Sequence, residues 1–128
     1  MSDRIKILMV EDLPSDAELA EYEIKKIVTD PEIRITETER EFITLLTDWN
    51  PDIVVTDFKL PAFDGLSALK LVLERSPYIP VIIFTGSMNE DTAVECMKAG
   101  ATDYVIKEHV KRLGLAIVNA LKQKELNL

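Results

Sequence analysis

Five residues with usable chemistry stand at the ends of apolar runs in this 128-residue sequence. Glu11 and Asp12 follow "IKILMV" (5–10), Asp57 closes "DIVVTD" (52–57), Thr85 falls near the end of "VIIFTG" (81–86) and Lys107 closes "DYVIK" (103–107). Two consecutive acids at the end of a buried strand repel each other, and a third in the same crevice raises the pKa of at least one of them. A divalent cation removes that penalty. With no His or Cys nearby, an all-oxygen set suits Mg²⁺ or Mn²⁺. Mg²⁺ typically takes one or two protein carboxylates and completes its octahedron with water or phosphate oxygens. Taken alone, Glu11 and Asp12 are equally well explained as solvated acids ahead of a helix, whose dipole favours negative charge. Asp57 and Lys107 at matching strand ends tip the balance towards a cation site.

Such a site needs elements that bring residues from nearly a hundred positions apart onto one rim. The runs at 5–10, 52–57, 81–86 and 103–107 are short, β-branched and almost continuously apolar, as strands covered on both faces are. "IRITE" (33–37) alternates instead, which predicts an edge strand with one wetter face. Between the runs, apolar residues recur every three or four positions. The sets are Ala17, Ala20, Ile24, Ile27 and Val28; Phe42, Leu45, Leu46 and Trp49; Leu66, Leu69 and Leu73; Ala93, Val94 and Met97; and Leu113, Ile117, Ala120 and Leu121. Each set predicts one buried stripe on a helix. Pro14 suits a first helical turn, Asp64 can cap a helix opening at Gly65, and Gly100 suits a left-handed residue after a helix end. Strand and helix therefore alternate five times, which predicts a parallel sheet with right-handed crossovers and helices on both faces. Sites in such sheets lie outside the carboxyl ends of the strands, where the strand order reverses.

The chain is long enough for one core that buries roughly two-thirds of the unfolded surface, so a single domain over residues 1–128 is expected. Fifteen Lys and Arg against twenty-three Asp and Glu give a net charge of −8. That balance disfavours direct binding to nucleic acid or anionic lipid. No apolar stretch approaches a membrane span and the N-terminal apolar run is too short for a secretory core, so a soluble, cytoplasmic protein is expected. Cys96 is the sole cysteine and reads as a structural thiol.

Four segments in order, "VED" (10–12), "VVTDFKLPAFDGL" (54–66), "FTG" (84–86) and "AGATDYVIK" (99–107), make the sequence similar to the receiver domain of two-component response regulators. The resemblance covers essentially the whole chain. It implies a flavodoxin-like, doubly wound α/β fold, with five parallel strands in the order 2-1-3-4-5 and five helices. By position it implies that Asp57 is the phosphoacceptor and that Glu11, Asp12, Asp57 and the Lys59 backbone carbonyl hold Mg²⁺. It also implies that Lys107 contacts the phosphoryl oxygens, that Thr85 and Tyr104 are a switch pair, and that Lys59 and Ser87 tune the lifetime of the acyl phosphate. The implied partner is a histidine kinase or histidine phosphotransfer protein, and the only catalysis implied is the domain's own phosphorylation and dephosphorylation. No organic cofactor is expected. The chemistry is consistent with this, because a carboxylate can form an aspartyl phosphate and phosphoryl transfer needs mainly positioning and charge stabilisation. One departure stands out: Glu108 follows Lys107 where the family commonly has proline, so the loop into the last helix must turn differently.

Two other functions compete. An aspartate-nucleophile phosphohydrolase usually carries Asp-x-Asp, whereas Lys59 fills the second position here; a flavodoxin-like binding module would need a phosphate cradle that the acidic loops lack. The remaining residues have plainer readings. His109 is expected to be an exposed loop residue, Met9 and Met97 core filler, and Lys25, Lys26, Lys122 and Lys124 solvated. Glu90, Asp91 and Glu95 on the fourth helix and Lys111 and Arg112 on the fifth could pair across a two-fold axis, giving a homodimer through helix 4, strand 5 and helix 5.

Overall fold

The structure, a computed structural model, describes residues 4–61, 63–86 and 89–126. Five strands, β1 (Lys6–Val10), β2 (Glu32–Thr36), β3 (Ile53–Thr56), β4 (Val81–Thr85) and β5 (Asp103–Ile106), form one parallel sheet in the order β2-β1-β3-β4-β5. This is the flavodoxin-like order, and it reverses between β1 and β3.

Because successive side chains on a strand point to opposite faces, the continuous apolar runs divide into two layers. Ile7, Met9, Ile53, Val55, Ile82, Phe84 and Val105 pack on one side beneath α1 (Pro14–Ile27) and α5 (Leu113–Leu126). Leu8, Val10, Val54, Val81 and Ile83 pack on the other side beneath α2 (Glu39–Thr44), α3 (Gly65–Arg75) and α4 (Glu90–Lys98). β2 lies at the edge of the sheet, as expected, but not with one dry and one wet face: Arg34 and Ile35 are both exposed and Thr36 is buried.

Helix starts follow local chemistry. Pro14 occupies the first turn of α1, while Thr38, Asp64 and Asn89 accept hydrogen bonds from the N–H groups of Glu41, Ser67 and Thr92 at the starts of α2, α3 and α4. Gly100 takes φ +113° after α4, a region that side chains disfavour. Beyond α2 the chain continues as a π-helical turn, Leu45–Trp49, ended by Asn50 in the left-handed region.

Three expectations need correction. In α4 only Cys96 is buried, and Val94 and Met97 are about half exposed. The seated face runs through Ala93 and Cys96 to Ala99 just past the helix end, one position out of phase with Val94 and Met97, so Met97 is not core filler. Ile27 and Leu73 likewise lie at the exposed rims of their stripes. Lys111 and Arg112 precede α5, in a 3-10 segment (Lys107–Arg112) that breaks at the exposed His109 (φ −110°, ψ 42°).

Candidate functional site

The backbones of two acids are fixed by the sheet beyond its last paired residues. The Glu11 N–H donates to Thr36 O (3.0 Å) and the Asp57 N–H donates to Val10 O (3.1 Å). Asp12 follows at the mouth of the crevice, half-buried. Carboxylate oxygens of Glu11, Asp12 and Asp57 all lie within 4.8 Å of one another. The Asp57 carboxylate is itself held on both sides: Oδ1 accepts from the Lys59 N–H (3.2 Å) and Oδ2 from Lys107 Nζ (2.7 Å).

The loop beyond Asp57 is clamped by α3. The Gly65 N–H donates to Phe58 O (2.9 Å). A Cβ on residue 65 would collide with the Asp57 carbonyl oxygen and lie 2.8 Å from Phe58 Cα. Only glycine lets the helix start this close to the backbone of the acid.

Lys107 reaches into the crevice from the end of β5. Its ammonium stands 2.8 Å from Glu11 Oε1, 2.8 Å from Asp16 Oδ2 and 2.7 Å from Asp57 Oδ2. Burial alone would lower its pKa, but the contacts with Asp16, Asp57 and Glu11 outweigh burial and push it above the ordinary lysine value. The Glu11 carboxyl moves up as well: burial raises it, and Lys107 together with the Leu13 N–H on Oε2 (3.2 Å) only partly offsets that. The Lys107 contact to Glu11 is a charge contact rather than a well-directed hydrogen bond, so the buried Oε1 keeps an unused lone pair. Three carboxylates around one ammonium, with Asp12 beside two of them, leave the rim strongly negative. An all-oxygen set with an underused buried oxygen fits a hard divalent cation, and the cluster can hold a metal ion.

Asp16 is the residue that sequence reasoning missed. It lies in the first turn of α1, where an acid needs no explanation beyond the helix dipole.

The model of the response regulator receiver domain family matches residues 7–119. The chain belongs to that family. The receiver is 36% identical over 116 residues to the regulatory protein LuxO of Vibrio cholerae, covering 90% of this chain and 25% of that protein. It is 39% identical over 71 residues to the transcriptional regulator NtrC of Klebsiella pneumoniae, covering 56% of this chain and 15% of that one. It thus spans about a quarter or less of the length of these relatives. Among solved structures, the signal receiver domain of a LuxO repressor protein from Vibrio parahaemolyticus superposes with a TM-score of 0.86 at 30% identity, covering 97% of this chain and 95% of that one. A receiver domain from Clostridium thermocellum gives 0.84 at 29%, covering 97% and 99%.

The other residues singled out in the sequence of this receiver fall as follows. Thr85 is buried at the end of β4, opposite Ile106 and next to the strand that delivers Lys107. Tyr104 pairs with Ile83, two residues short of the end of β5, and packs with the layer under α3 and α4. The alternation of strand side chains puts Thr85 and Tyr104 on that same face as diagonal neighbours. Lys59 is exposed beside Asp57, and Ser87 lies outside the described residues.

Proposed function

We propose that residues 1–128 act as one receiver unit that accepts a phosphoryl group on the Asp57 carboxylate from the phosphohistidine of a histidine kinase or phosphotransfer protein in the cytoplasm. The observation that carries this reading is the Lys107 ammonium 2.7 Å from Asp57 Oδ2, with Glu11 and Asp12 alongside.

In the step itself an Asp57 oxygen attacks phosphorus, the P–N bond to the donor imidazole breaks, and the imidazole leaves with the electron pair and takes up a proton. A Mg²⁺ or Mn²⁺ ion held by Glu11, Asp12, Asp57 and the Lys59 carbonyl would neutralise charge on the transferring group. Lys107 pairs with a phosphoryl oxygen, and the Thr85 hydroxyl donates to another. The sheet hydrogen bonds on Glu11 and Asp57 keep the acids in register, so little reorganisation is needed when the donor arrives.

Thr85 drawn towards the phosphoryl group makes room on the face it shares with Tyr104, whose inward turn repacks α4, β5 and the start of α5. That surface carries the signal. It also offers an interface for a second copy, with the α4 acids Glu90, Asp91 and Glu95 facing basic Lys111 and Arg112. Lys59 and Ser87 tune the acyl-phosphate lifetime. Catalysis is confined to the receiver's own phosphorylation and dephosphorylation, since Lys59 stands where a phosphohydrolase would need its second carboxylate.

Asp57→Asn keeps the shape of the side chain but removes the nucleophilic charge. Given phosphoramidate and Mg²⁺, wild type gains one phosphate by intact-mass spectrometry and Asp57→Asn gains none. Equal labelling of the two proteins would overturn the assignment.

A further inference from the structure

We propose that Asp16 is a positioning residue for phosphorylation: it holds the Lys107 ammonium in place while the other two carboxylates on that ammonium change partners. The inference rests on the function proposed for Asp57 and adds a residue to it. The two side chains are 91 positions apart in sequence and meet at 2.8 Å, with Asp16 about one-third exposed and Lys107 largely buried. An acid that served only the helix dipole would face water from the first turn of α1. This one is folded over onto the ammonium.

A lysine ammonium has three protons to donate, and three carboxylates surround this one at 2.7–2.8 Å. Two of them, Glu11 and Asp57, belong to the three-acid set that can hold a cation. A cation there draws their charge away from Lys107, and a phosphoryl group on Asp57 turns one of its oxygens into the bridging oxygen of an acyl phosphate. Asp16 lies outside that set. It is the acceptor that keeps its charge and its geometry through both events. Lysine has a flexible four-carbon stem and much rotamer freedom to lose. With Asp16 in place that freedom is already spent before the donor arrives, whereas without it the ammonium must be ordered during the transfer step.

Three proteins test this: wild type, Asp16→Asn, whose amide oxygen still accepts a hydrogen bond, and Asp16→Ala, which offers no acceptor. With phosphoramidate and saturating Mg²⁺, Asp16→Ala is expected to be phosphorylated about five- to tenfold more slowly, with its Mg²⁺ dissociation constant within about twofold of wild type. Asp16→Asn is expected to recover most of that rate. In ¹⁵N-lysine NMR without any donor, the Lys107 ammonium should give a slowly exchanging signal in wild type and Asp16→Asn that is lost in Asp16→Ala. Circular dichroism confirms that the variants are folded. A wild-type rate in Asp16→Ala, equal rates in the two variants, or a loss of rate matched by loss of Mg²⁺ affinity would overturn the inference. If wild type takes no phosphate at all, the proposed function fails. The ammonium signal then decides the positioning by itself, because a signal indifferent to Asp16→Ala refutes it without any phosphorylation.

Discussion

Replacing Lys107 by methionine keeps most of the stem and removes the charge, leaving Glu11, Asp16 and Asp57 without their shared cation. Removing one partner of a buried ion pair commonly costs about 3–5 kcal/mol, but here the loss has a ceiling. Glu11, whose side chain is 1% exposed, can bind a proton instead of remaining charged. Holding that proton at pH 7 against the ordinary value of 4.5 costs about 3.4 kcal/mol, at 1.36 kcal/mol per pH unit. At pH 5 the same cost is about 0.7 kcal/mol. The sign follows from Glu11 binding its proton more tightly when folded than when unfolded. Stability is then greatest below pH 4.5 and falls as pH rises towards the folded value. In wild type Lys107 opposes that rise, so its stability falls less. The gap between Lys107→Met and wild type, read from urea unfolding in chelator, should therefore widen between pH 5 and pH 7 by up to about 2.7 kcal/mol. In heating experiments this widening corresponds to a difference in melting temperature between the two proteins that is larger at pH 7 than at pH 5 by up to about 10 °C for a chain of this length. Added Mg²⁺ should narrow the gap by supplying the missing positive charge. A gap of the same size at both pH values would refute this electrostatic account and reduce Lys107 to a packing residue.

Asp12→Ala should weaken Mg²⁺ binding at least about tenfold in a fluorescence or calorimetric titration, while leaving the metal-free protein equally or slightly more stable because one repulsive carboxylate is gone. Thr85→Ala should still take phosphate on Asp57, more slowly. It should lose most of the response of α4 and Tyr104 to beryllofluoride in amide NMR, since a hydrogen bond to a charged oxygen is worth about 1.5–3 kcal/mol.

The sheet and the acids at its rim were legible because the inner strands are short β-branched runs covered on both faces, and each run stops at its polar residue. The edge position of β2 was legible from its alternation, though not which of its residues are buried, and the caps were legible from Asp64 and Gly100. The phase of α4 was not. Cys96 carries the burial there, while the larger Val94 and Met97 sit on the half-exposed side. Periodicity weighs residues by hydropathy and cannot tell which side of a nine-residue helix meets the sheet. Asp16 was hidden for a different reason. Its local position already satisfies a helix N-terminus, and its partner arrives from the far end of the chain, so no spacing in the sequence marks the contact. The π-helical turn at Leu45–Trp49 left no signature beyond the Asn50 that ends it. The diagonal placement of Thr85 and Tyr104 depends on how β4 and β5 pair, which strand identity alone does not give.

The start of α3 at Gly65 has an evolutionary consequence. Every codon change that alters this residue adds at least a Cβ, and that atom meets the main chain of Asp57 and Phe58 rather than a side chain that could turn aside. Descendants of this sequence can exchange core residues by trading volume between neighbours, but no neighbouring substitution can make room here without shifting Asp57. Drift is therefore open across most of α3 and closed at its first residue. A lineage in which position 65 has changed has had to rebuild the Asp57 loop or give up what that loop does.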